Sequence, residues 1–118
     1  MSVITNIAIA AALITATGVS AGTTHLTDAQ YLAAARCQGL FDSHKLGPVD
    51  ASGINKMMDR EGDYRQPAVA DRADEARNDA EREADHAGAL GRQALVSERD
   101  GACQVWASDG RSQTAAAN

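Results

Sequence analysis

Two cysteines, Cys37 in "YLAAARCQGL" and Cys103 in "GACQVW", stand far apart in the chain, and no other thiol is present. If they are joined, every element between them must be arranged so that residue 103 returns to residue 37. The rest of the composition makes such a staple matter. Among 118 residues there are one Trp, two Tyr and one Phe. Alanine is the commonest residue, and burying it removes little area from water, at roughly 25 cal/mol per Å². A core of this kind is thin, and small domains with thin cores usually need a cross-link. The length itself has room for one small domain.

Whether the cysteines meet depends first on the compartment. Residues 1–24 carry no charged side chain, and "IAIAAALI" (7–14) is a compact apolar run. "TATGVSAG" follows, with Val19 and Ala21 at the −3 and −1 positions of a small-residue cleavage site. This pattern predicts a secretory signal peptide over 1–21, although no Lys or Arg precedes Arg36 to supply a basic start. The alternative is a retained membrane anchor, since residues 3–21 are long enough to span a bilayer. Thr5, Asn6, Thr15, Thr17, Gly18 and Ser20 dilute that stretch, and no basic residue flanks it. Both readings place the remainder outside the cytoplasm, in the periplasm or secreted. There, two cysteines are expected to be bridged.

The chain after residue 21 reads as all-α: a helical domain over 22–107 and a disordered tail over 108–118. Thr27 is a candidate N-cap, with Gln30 placed for a capping box and Leu26 and Tyr31 for a hydrophobic staple. Ala33, Ala34, Cys37, Leu40 and Phe41 follow at helical spacing, so the first helix is predicted over 27–42 with Cys37 facing the core. Gly47 and Pro48 interrupt it. A second helix is predicted over 50–61, with Ile54, Met57 and Met58 on its apolar side. Pro67 suits the first turn of a third helix over 67–99. Along it Val69, Ala73 and Ala76 are echoed eleven residues later by Ala80, Ala84 and Ala87, then by Gly91 and Leu95. That period describes a nearly straight helix whose small stripe admits a neighbouring backbone closely.

Helix lengths then test the bridge. At about 1.5 Å per residue, Cys103 lies roughly 50 Å along the third helix from the 62–66 turn. Back along the second helix, the extended 43–49 link and the end of the first, Cys37 lies roughly 46 Å away. The match favours a long hairpin, with the first two helices end to end and antiparallel to the third. An up-down-up bundle satisfies the bridge only if the third helix folds back at "HAGALG", where Gly88 and Gly91 weaken it. An intermolecular bridge and free thiols are the competing states.

Charge and motifs narrow the function classes. The net charge of −5 and the absence of a basic stripe argue against nucleic acid. Glu83 and His86 have the spacing of a di-iron half-site, but such a site needs a second copy and further glutamates. They read instead as ion-pairing groups on a solvated helix, and His25 and His44 have no companions as metal ligands. Asp42, Ser43 and His44 are sequential neighbours in a turn, whereas a triad is assembled from facing groups. No phosphate loop, nucleophile elbow or C-x-x-C pair occurs. No cofactor and no catalytic residue is therefore predicted.

What remains is an exported helical protein acting by binding or as a structural element. Its candidate contact surface is the stripe Ala73, Ala76, Ala80, Ala84, Ala87 and Gly91, for a protein partner or a second copy. Trp106 is predicted to pack on the bridge, with a partner anchor as its other role. In outline (helical, exported, acidic, one disulfide) the chain resembles the small periplasmic acid chaperones, a likeness of architecture that involves no motif. It implies that acidic patches such as "DRADEARNDAERE" lose charge below about pH 4 and loosen the helices. If residues 1–21 stay attached, the chain reads as a membrane-anchored coiled coil of the cell envelope.

Overall fold

The computed structural model describes residues 25–108. Helices account for most of them, and there is no strand among the described residues. The order is α1 (Asp28–Asp42), a 3-10 turn (His44–Leu46), α2 (Ser52–Gly62), α3 (Pro67–His86), α4 (Ala89–Asp100) and the short α5 (Gln104–Ala107). The expected leader, or anchor, over 1–21 and nearly all of the expected tail lie outside the described residues.

The start of α1 is built as its sequence requires. Gln30 N donates to Thr27 Oγ1 (3.1 Å) and Thr27 N to Gln30 Oε1 (2.9 Å), closing the capping box. Leu26 and Tyr31, the expected staple pair, are both buried. Burial along α1 then goes beyond one face. Tyr31, Ala34, Ala35, Cys37, Gln38, Gly39, Leu40 and Phe41 are all buried, because α2, α3 and α4 pack around this one helix. Small residues make that possible, since a helix crowded by three neighbours has little space for side chains.

The path of the chain differs from the long hairpin. Leu26 meets Glu61 and Gln38 meets Asn55, so α2 runs antiparallel beside α1, not end to end with it. Tyr31 faces Asp74, Gly39 faces Arg77 and Ala80, and Asp42 borders Glu81 and Asp85, so α3 runs parallel to α1. The first three helices thus go up, down and up. The single third helix over 67–99 is also corrected, because it is two helices. Ala87 (φ −69°, ψ 137°) and Gly88 (φ −73°, ψ −177°) are extended, and α4 turns back from them. Gly88 and Gly91 each lack about 1 kcal/mol of helix propensity relative to alanine, so the break falls where the helix is weakest.

The return of α4 delivers the bridge. Cys37 and Cys103 are joined, with their Cα atoms 5.5 Å apart, and neither is free. Two arginines hold the same segment in place. Arg36 Nε and Nη2 donate to both oxygens of Glu98 (2.7 and 2.9 Å), and Arg36 Nη1 donates to Glu83 (2.9 Å). These hydrogen bonds, first to Glu98 and then to Glu83, push the guanidinium pKa further up, so the clamp keeps its charge. Arg99, itself buried, donates Nη1 to the carbonyls of Leu46 (2.7 Å) and Gly47 (3.2 Å). Those carbonyls end the 3-10 turn, so a charged donor satisfies polar groups that burial would otherwise leave costly.

Candidate functional site

The small-residue stripe divides into a covered and an uncovered part. Ala73, Ala80 and Ala84 are buried, and α1 is the neighbour that covers them. The approach is closest at Gly39, where an added Cβ would lie 2.2 Å from the Arg77 carbonyl oxygen and 2.8 Å from the Ala80 Cβ. For this stretch, therefore, the partner of the stripe is another helix of the same chain. Ala76 and Ala87 are only partly buried against the core. Beyond them Gly88, Ala89, Gly91 and Ala94 are exposed, and Leu90 is 84% exposed. The first two turns of α4 stand clear, and α4 becomes anchored at Leu95, Glu98 and Arg99.

Leu90 has a geometric reason for standing out. It lies in the first turn after the corner, before α4 has come back over α1. Tyr64 (59%) and Val105 (37%) are the other large exposed apolar side chains among the described residues. Tyr64 packs against His25 in a tilted arrangement, ring centroids 3.8 Å apart, and so already has a neighbour. The corner offers apolar contact through Leu90.

The other sequence-stated groups fall into structural places. Trp106, the candidate anchor, is buried on α5, which packs on α2. Met57 and Met58 are in the core. Glu83 pairs with Arg36, while His86 is exposed at the last residue of α3. Ser43 Oγ accepts the N–H of Lys45 (3.3 Å) and so caps the 3-10 turn. His44 borders an open groove of about 440 Å³ with Asp42, Ser43, Arg77, Glu81 and Asp85, across which Arg77 is ion-paired with Asp42. No group of three metal-ligating side chains lies together among the described residues. No described helix is long and apolar enough to cross a membrane.

One polar cluster was not legible in advance. Glu61 is 2% exposed, and its Oε2 accepts the N–H of Leu26 (3.1 Å). Arg65, four residues on, donates Nη2 to the Leu26 carbonyl (2.6 Å) and Nη1 to Asp28 (2.7 Å). In sequence, "EGDYRQP" reads only as an interruption between helices. The available signal was the i, i+4 spacing of Glu61, in the last turn of α2, and Arg65 in the turn beyond it.

Comparison with protein-family models, curated proteins and solved structures finds no match to this chain.

Proposed function

We propose that this is a small exported helical protein that acts by contact with another protein, without catalysis. Its contact surface is the uncovered end of the small-residue stripe, from Ala87 to Ala94 with Leu90 at the centre. The observation that carries the reading is the 84% exposure of Leu90 on a corner the rest of the fold leaves uncovered. A stripe that admits α1 as closely as it does at Gly39 can admit a second backbone where α1 ends. Cross-linking from position 90, combined with light scattering of the protein, tests this. A concentration-dependent dimer or a single defined adduct, lost in Leu90→Asp, is expected. A strict monomer with no adduct specific to position 90 sinks it.

The apolar run at 7–14 and the cleavage pattern ending at Ala21 support export. An intact mass beginning at Gly22 is the expected result. An intact chain held in membranes would instead favour an anchored envelope component.

A second reading, an acid-stress chaperone, is favoured by one specific arrangement. Arg36, Arg65 and Arg77 each link separate helices, and each ends on carboxylates: Glu83 and Glu98, Asp28 and Glu61, Asp42 and Glu81. Acid neutralises the carboxylate side of all three. Suppression of client aggregation at about pH 2–3 is the test, and no protection there removes this reading.

A further inference from the structure

We infer that Glu61 and Arg65 form an acid-releasable latch that holds the amino-terminal edge of the helical domain, and that opens before the disulfide-linked core does. The inference rests on the geometry around Leu26 and holds whether or not the protein protects clients.

Leu26 is held at both of its backbone groups, by Glu61 from the last turn of α2 and by Arg65 from the turn that follows it. Its N–H is taken by Glu61 and its carbonyl by Arg65, as described above. An ordinary surface ion pair joins two side chains; this pair grips a third residue's backbone between them. Its members are out of water, with the side chains of Glu61 and Arg65 3% and 6% exposed and their charged atoms 3.5 Å apart. Arg65 Nε has no acceptor, so the guanidinium depends on Glu61, Asp28 and the Leu26 carbonyl. The face of Tyr31 lies 5.3 Å below its carbon.

Every element around the pair responds to acid in the same direction. From the segment before α1, His25 Nδ1 sits 3.5 Å from Glu61 Oε1 and gains a positive charge on protonation. From α1, Asp28 loses its negative charge. From α2, Glu61 and the nearby Asp59 lose theirs, and from α3, Asp74, which acts on Tyr31, does the same. With both carboxylates ionised, Glu61, Asp28 and Arg65 sum to one negative charge. With both carboxylates protonated, Arg65 is left as a buried guanidinium without a counter-charge. Such a state is strongly disfavoured, and moving residues 25–28 away lets water reach Arg65. The contacts that hold α1 to the segment between α4 and α5 include a disulfide between buried cysteines, which acid leaves intact.

Hydrogen exchange of the disulfide-intact protein between about pH 7 and about pH 3 tests the latch, with protection factors followed at the Leu26 and Cys37 amides. The expected result is that Leu26 loses protection, on the order of tenfold or more, at a higher pH than Cys37 does. Glu61→Gln, the uncharged isostere, should show the open Leu26 amide already at neutral pH, with a flat pH profile and Cys37 still protected. Loss of both wild-type amides together, or a pH-independent Leu26 amide, overturns the inference even if the variant fails to fold. Retained Leu26 protection in Glu61→Gln overturns it too.

Discussion

The two ends of the alanine–glycine stripe have nearly the same composition and opposite surroundings. At Ala73, Ala80 and Ala84 the stripe is buried under α1; from Gly88 to Ala94 the small residues face solvent, and burial resumes only at Leu95 beyond them. A small side chain permits close approach but does not cause it. What decides is where the chain path brings a second helix, and that path is set by the break at Ala87–Gly88 and the return to Cys37. The covered end is therefore structural, and the uncovered end is the surface on which the proposed contact rests.

Removing the return is the largest expected way to break this contrast. The Cys37–Cys103 bond closes a loop with a sequence separation of 66 residues, and in the chain-entropy model stabilises by about 4 kcal/mol. A small domain has only roughly 5–15 kcal/mol in total. Cys37→Ser and Cys103→Ser should each lower stability by a similar amount in urea unfolding. The double substitution should cost little more, since all three lose one bond. No thiol should titrate in denaturant without reductant. Two titratable thiols, or clearly additive losses, would mean that α4 is held over α1 by something else.

Next in size is a test inside the covered end. Gly39→Ala adds one methyl group to α1. Helix propensity favours alanine there by about 1 kcal/mol. The new Cβ, however, would be 2.2 Å from a backbone oxygen of α3, which cannot rotate away. Overpacking of this kind costs roughly 1–3 kcal/mol or more, and here α3 itself must move. The clash wins, with a net loss of roughly 2 kcal/mol expected from thermal or urea unfolding. A stabilised Gly39→Ala would show that α1 and α3 are not in this close contact.

Alkaline titration probes the same end without changing packing. Burial raises the pKa of the Tyr31 phenol above its ordinary value; Asp74 adds to the rise and Arg65 opposes it. The folded state thus prefers the neutral phenol. Its contribution is complete below about pH 10 and is lost as pH rises through the raised value. Stability should fall in that window, and Tyr31→Phe should remove this part of the slope. An unchanged slope in the variant would place the tyrosine in solvent.

Much of α1 was readable because its signals are local. The Thr27–Gln30 box, the Leu26 and Tyr31 staple positions and the Cys37 facing all lie within a few turns. The path was harder to read, since helical periodicity says nothing about direction after a break. Gly88 and Gly91 marked the weak point, but the bridge could be met either by a long hairpin or by folding back. Only the side-by-side packing of α1 and α2 decides between them, and it depends on pairs such as Gln38 with Asn55 (2.8 Å). Charged residues were misleading for the same reason. Glu61, Arg65 and Arg99 look like solvated helix ends in sequence, yet their side chains are buried because each satisfies backbone groups of a distant segment.

The smallest expected effects are at the uncovered end, where they sharpen the contrast with Gly39. A Cβ at Gly88 would meet nothing within 4 Å, and its backbone is extended, a conformation open to any residue. Gly88 is also the N-cap of α4 and provides no side-chain cap. Serine there gains an acceptor for a free N–H of the first turn, and should stabilise by about 0.3 kcal/mol. Leu90→Ser removes an apolar side chain that is already in water, so stability should change by less than about 0.5 kcal/mol. Giving glycine a side chain is thus expected to have opposite signs in Gly39→Ala and Gly88→Ser. A loss of more than about 1 kcal/mol in either corner variant would mean that the corner is buried in solution. Something must then cover it, and dilution separates the possibilities: the loss fades with dilution if a second copy is the cover, and persists if the cover belongs to the same chain.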